Sequence, residues 1–121
     1  VNERVPILRI GRFLLVSIQI DLEDQTVLRL QEELAEEIVR SGARGVIIDI
    51  SAIDIVDSFI GRTFSTIASM SRLMDAATVV VGMRPAVAIT LVELGLSLDG
   101  VRTALDLEQG MSLLEATLDG R

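Results

Sequence analysis

The sequence predicts an α/β fold, a mixed but mostly parallel sheet of about five strands with about four helices, and three observations carry that prediction. Apolar spacing switches repeatedly between the period of a strand and that of a helix along the 121 residues. Two short segments, "GVIID" and "ATVVVGM", are apolar almost without interruption, as expected of strands covered on both faces. Half of the chain is hydrophobic, yet its only aromatic residues are three Phe. The core is therefore built from Val, Ile, Leu, Met and Ala, which pack well in regular helix–sheet layers. The length suits a single domain spanning residues 1–121 around one core.

In chain order, "PILRIGRFLLVSIQIDL" reads as two strands joined by a tight turn at Gly11-Arg12, with Leu14, Val16, Ile18 and Ile20 in alternation. "DQTVLRLQEELAEEIVRSG" then takes helical spacing. Val27, Leu30, Leu34 and Ile38 form its apolar stripe, and Glu33, Glu36, Glu37 and Arg40 its solvated face. Asp24 or Thr26 can cap its start and Gly42 its end. After the strand "GVIID", the segment "SFIGRTFSTIASMSRLM" aligns Phe64, Ile67, Met70 and Met74 on one stripe, the two Met as core filling. Arg62, Ser65, Thr66, Ser69 and Arg72 take the other side. "ATVVVGM" leads to "RPAVAITLVELG", a helix with Pro85 near its first position and Gly95 past its end. Between Ala86 and Leu94 only Thr90 and Glu93 are strongly polar, so this helix is either buried on every side or packed on another chain. A weak edge strand in "VRTAL" and a last helix, "LEQGMSLLEATL", complete the order β-β-α-β-α-β-α-β-α. Right-handed crossovers then make the strands parallel after the opening pair.

Eighteen acidic residues against eleven Arg, with no Lys, leave a net charge of −7. That balance and the scarcity of stacking aromatics argue against a nucleic-acid partner. No run of about eighteen apolar residues occurs, so no membrane span is expected. The opening "VNERVPILRI" lacks a signal-peptide layout, and a core-rich chain without Cys has no need of disulfides; a cytoplasmic location is the expectation. Without His or Cys there is no ordinary zinc site, and without His or Lys no usual base for a serine nucleophile. Neither a Walker loop nor a G-x-G-x-x-G run is present. Carboxylates alone could serve glycoside or Mg²⁺ chemistry, but such sites rely on a deep cleft and sugar-stacking aromatics. No enzymatic activity is expected, and no catalytic residue, cofactor or metal is assigned.

Attention then falls on "IIDISAIDIVDSFIGRTF", Ile47 to Phe64, where Ser58 opens the second helix. In open α/β sheets, functional residues gather beyond the carboxyl ends of strands. Ser58 has two readings. It caps orphan backbone N–H groups, worth about 1 kcal/mol, or it accepts a covalent modification. If Asp57 is the cap instead, the Ser58 hydroxyl is left free. A phosphate there gains from the helix dipole and the free N–H groups, so the fold can carry it. It adds roughly −1.5 to −2 of charge to a loop already acidic through Asp54 and Asp57, which works against a docked partner. A loss of roughly 3 kcal/mol weakens binding about a hundredfold.

"GVIIDISAIDIVDSFIG" resembles the phosphorylation segment of STAS domains, the anti-sigma-factor-antagonist fold shared with sulfate transporter tails. "RPAVAITLVELGL" and "TALDLEQGM" further resemble one branch, the small STAS-only scaffolds of stressosomes, and the similarity runs over nearly the whole chain. The resemblance implies a scaffold that co-assembles with larger RsbR-type sensor paralogues, as homo- and hetero-oligomer, into a cytoplasmic particle. That particle would sequester an RsbT-type switch serine/threonine kinase. The kinase phosphorylates the scaffold, leaves it and activates a stress response, and a phosphatase resets the system. By match to the motif, Ser58 is the phosphoacceptor and Asp57 its acidic neighbour, presenting the hydroxyl to the kinase and its Mg²⁺. Asp54, Phe59 and Arg62 complete the expected partner contacts. Phe59 and Ile60 precede Gly61 where direct anti-sigma antagonists carry one smaller residue and then Gly. Phe59 reads as core packing or as a partner contact. A free anti-sigma-factor antagonist, switched at the same serine, is the alternative function. A small carboxylate-dependent enzyme or nucleotide-binding module using the Asp54–Asp57 loop is a third.

Overall fold

Strands β1 (Ile7–Ile10) and β2 (Phe13–Ser17) pair as a hairpin across Gly11-Arg12, and helices and strands alternate from there. They are α1 (Asp24–Ser41), β3 (Gly45–Asp49), α2 (Ser58–Leu73), β4 (Ala77–Val81), α3 (Pro85–Glu93), β5 (Arg102–Ala104) and α4 (Leu107–Asp119). The computed structural model describes residues 5–19, 23–96, 98 and 100–119. The strand order is β1-β2-β3-β4-β5, antiparallel at the hairpin and parallel at every later pairing. The expected fold class, a mixed, mostly parallel five-stranded sheet with four helices, is the one observed.

Because each new strand adds on the same side of the last, right-handed crossovers carry α1, α2 and α3 to one face of the sheet. There Leu34, Phe64 and Leu91 meet Leu14, Val16, Ile48 and Val80 in the larger core. Helix α4 covers the opposite face, with Leu114 against Phe13, Ile47, Val79 and Val81. Strands β3 and β4 thus supply side chains to both cores, which explains their unbroken apolar runs.

Several local expectations are refined. Helix α1 starts one residue earlier than the cap reading allowed. Its N-cap is Glu23, which makes no side-chain cap bond, while Asp24 lies in the first turn and Thr26 is turned into the core beside Val27. Gly42 does end it in the left-handed conformation, φ 70°, and its N–H donates to the Ile38 carbonyl at 2.9 Å. Strand β2 ends at Ser17, although the Ile18 N–H still donates to the Asp49 carbonyl at 2.9 Å. The alternation read at Ile20 lies outside the described residues. Met70 and Met74 pack half-buried on the larger core. Pro85 opens α3, where Val87 and Leu91 are buried but Ile89 and Val92 are 59% and 76% exposed, so burial on every side is excluded.

Candidate functional site at the entrance of helix α2

The segment from Ile50 to Asp57 crosses the carboxyl edge of the sheet and is held there by backbone bonds. The Ile50 N–H donates to the Val81 carbonyl at 3.0 Å, and the Ile53 N–H turns back to the Ile50 carbonyl at 2.9 Å. Asp49 Oδ1 accepts the Ser51 N–H at 2.9 Å. Gly82, at the end of β4, sits against this turn with φ 77°; a Cβ there would lie 2.9 Å from Ser51 Cβ and 3.1 Å from the Ser51 nitrogen. Only glycine satisfies both that conformation and that approach. Arg84 Nε donates to the Ser51 carbonyl at 3.1 Å, fastening the turn to the start of α3. Ile53 and Val56 are buried and pin the loop to the larger core, which leaves Asp54, Ile55 and Asp57 facing solvent. Ile55 is 85% exposed.

Asp57 holds extended backbone, φ −113° and ψ 178°, and its Oδ1 accepts the Ile60 N–H at 2.9 Å. Asp57 is therefore the N-cap, and the reading of Ser58 as the cap is corrected. An N-cap side chain must come from the last non-helical residue to reach back over the first turn, and Ser58 is already helical. The Ser58 hydroxyl makes no hydrogen bond to any described residue. It is not sealed either: among the described residues, the enclosed side-chain oxygens without a partner are those of Ser71 and Thr78. Ser58 is a half-buried residue with an unengaged oxygen at the mouth of a helix.

Phe59 is half-buried but packs with neither core, whereas its neighbour Ile60 packs on the larger one. The core-packing reading of Phe59 is corrected: the first turn of α2 points Ile60 inward and leaves Phe59 at the rim. Arg62 is exposed, and at four residues from Ser58 it lies on the same side of the helix. The entrance thus gathers Asp54, Asp57, Ser58, Phe59 and Arg62, all five residues singled out from the sequence, on one loop and one helical turn. Sequence reasoning missed the supports. Gly61 lets α2 lie close to the end of α3, since a Cβ on it would collide with Leu96 and reach Leu91 at 3.0 Å. Gly82 and Arg84 carry no local signal that they brace a loop thirty residues upstream. Among the described residues, no three His, Cys, Asp or Glu side chains gather to hold a metal ion. What the entrance offers is a free hydroxyl, two exposed carboxylates, a guanidinium and exposed apolar surface.

A family model for the STAS domain matches residues 4–110. The chain belongs to the STAS domain family. Among solved structures, RsbS S58E of Moorella thermoacetica is 39% identical, with a TM-score of 0.82 over 95% of this chain and 97% of that one. A structure of the molecular architecture of the stressosome, described as a signal integration and transduction hub, is 41% identical, with a TM-score of 0.82 over 93% and 98%. The RsbT co-antagonist protein RsbRA of Bacillus subtilis (strain 168) is 30% identical over 97 residues, 79% of this chain. The chain spans 35% of the length of that larger relative. No helix among the described residues is long and apolar enough to cross a membrane.

Proposed function

We propose that this STAS chain is a non-catalytic stressosome scaffold of the cytoplasm. It co-assembles with RsbR-type sensor paralogues, holds an RsbT-type switch serine/threonine kinase, and releases it when Ser58 is phosphorylated. A phosphatase resets it. The observation that carries this reading is the division of labour at the α2 entrance. Asp57 satisfies the helix end, so modifying the Ser58 oxygen breaks no bond of the fold. Similarity to RsbS S58E and to the stressosome structure, over nearly the full length of both, supports the setting.

The physical switch is local. A phosphate on Ser58 meets the unpaired N–H groups of the first helical turn, and Arg62 one turn on can accept part of its charge. The fold tolerates it. A partner seated over Ile55 and Phe59 does not, because it faces added bulk and about −1.5 to −2 of new charge beside Asp54 and Asp57. A loss of roughly 3 kcal/mol gives about a hundredfold weaker binding, enough to empty the site.

Reconstitution with sensor paralogue, kinase and ATP tests it, following particle size by size-exclusion chromatography and site occupancy by peptide mass spectrometry. The expected result is a very large particle, phosphate on Ser58 and departure of the kinase. Ser58→Ala should assemble and retain the kinase, and Ser58→Asp should release it only in part, since one carboxylate carries less charge than a phosphate. Phosphate found solely at another residue, or normal release from Ser58→Ala, overturns the site. A monomer or dimer that binds an anti-sigma kinase without forming a particle would mark the alternative, a free anti-sigma-factor antagonist.

A further inference from the structure

Helix α3 leaves an apolar side uncovered. Pro85, Ile89 and Val92 fall at i, i+4 and i+7, so they share one side of the helix, with Ala86 and Glu93 beside them, and all of these residues are exposed. Ile89 and Val92 are 59% and 76% exposed, while Val87 and Leu91 anchor the opposite side in the larger core. This is the spacing by which a helix offers apolar anchors to a partner.

Charge selects the partner. Two copies related by a two-fold axis place identical faces against each other. Helix α1 carries mostly acids, among them Glu32 and Glu36, against Arg29 and Arg40. Helix α4 carries Glu108, Glu115 and Asp119 and no Arg, and α2 carries Arg62 and Arg72 and no acid. Doubling any of those faces opposes like charges, in a chain whose net charge is already −7. Helix α3 is balanced instead, with Arg84 at its N-cap and Glu93 as its last residue. Neither makes an ion pair among the described residues.

The face is also complementary to itself. Ile89 lies midway between Pro85 and Glu93, and midway between Ala86 and Val92. A two-fold axis perpendicular to α3 at Ile89 sets the two helices antiparallel, with Ile89 on Ile89 and each Ala86 opposite a Val92. The small Ala86 side chain leaves room for Val92, and each Arg84 comes to the end that carries the other copy's Glu93.

We propose that α3 is the surface on which two copies of this chain pair, antiparallel about Ile89. One nine-residue helix, about 13 Å long, is less than a standard stable interface needs. The pair is accordingly weak, with a dissociation constant of about 0.1–1 mM. Weak pairing suits a scaffold in which many such contacts act at once. Its role rests on the scaffold reading above, but the pairing needs neither kinase nor sensor paralogue, so its failure is distinct from a failure of the Ser58 switch.

Sedimentation equilibrium of the full chain up to about 2 mM, with amide NMR over the same range, tests it. A monomer–dimer equilibrium is expected, with concentration-dependent shifts at Ala86, Ile89 and Val92. Val92→Glu changes a solvent-facing residue and should fold normally, yet pair about tenfold more weakly or worse. Arg84→Glu and Glu93→Arg, each checked for folding by its amide spectrum, should pair more weakly than the parent. Their equal mixture should recover pairing, because opposite charges then meet at both ends. The chain has no Cys. Oxidised Ile89→Cys should therefore form a disulfide-linked dimer across the axis, whereas Val39→Cys, at a 73% exposed position on α1, should not. Absence of association up to about 2 mM, undiminished pairing of Val92→Glu, or no recovery in the mixture would overturn the proposal. Equal crosslinking of Val39→Cys, or crosslinking of Ile89→Cys solely to an added sensor paralogue, would do the same.

Discussion

Asp57 and Ser58 are chemically able to play the same part, and which one does so is settled by a single backbone turn. Asp57 is the last extended residue, so its carboxylate reaches the Ile60 N–H, and Ser58 inherits a helical position with a spare oxygen. Asp57→Ala should therefore lower stability by about 1 kcal/mol, the usual worth of an N-cap, whereas Ser58→Ala should change it by no more than about 0.5 kcal/mol. Urea denaturation of the two variants beside the parent chain measures the contrast, and equal losses would mean that the two residues share the cap. From the sequence, both residues were legible as the important pair, but not their division of roles, because cap choice depends on φ and ψ rather than on residue type. The same limit explains why the sealed hydroxyls of Ser71 and Thr78 went unread. Both residues sit in segments whose neighbours look like ordinary helix and strand.

At the scale of elements, apolar period was the strongest guide wherever a segment buries a full stripe. The Val27–Leu30–Leu34–Ile38 stripe of α1 and the Phe64–Ile67 face of α2 are buried as read. Helix α3 is different, since an all-apolar helix shows no stripe from which a buried side can be chosen. Contact selects Val87 and Leu91 and leaves Ile89 and Val92 outside. Helix α4 closes the second face largely through one fully buried side chain, Leu114. Leu114→Ala should cost about 2–5 kcal/mol, the range for a truncated core leucine, while Val92→Glu should stay within about 0.5 kcal/mol in the isolated chain. Thermal and chemical denaturation check the pair, and a large loss from Val92→Glu would show that α3 buries that residue after all.

At the scale of the whole molecule, β3 and β4 carry side chains into both cores, so neither face can melt while the other stays intact. Unfolding of the isolated chain should be a single cooperative transition in which helix content, followed by circular dichroism, and amide NMR intensities of the α4 face coincide. Loss of α4 signals ahead of the rest would refute it. The Ser58 entrance lies beyond the carboxyl edge of the sheet, where the loop after β3 meets the end of β4.

By itself, the sequence determined the element order, the mostly parallel sheet, the aliphatic core and the loop and helix start on which Ser58, Asp54, Asp57, Phe59 and Arg62 gather. These follow from periodicity and from residues adjacent in the chain, which local chemistry controls. Only the tertiary structure decided that Asp57 caps while Ser58 stays free, that Phe59 remains at the rim, and that Gly82 and Arg84 brace the loop. Those facts depend on close approach between segments far apart in the chain, and no local pattern records how closely two surfaces will meet.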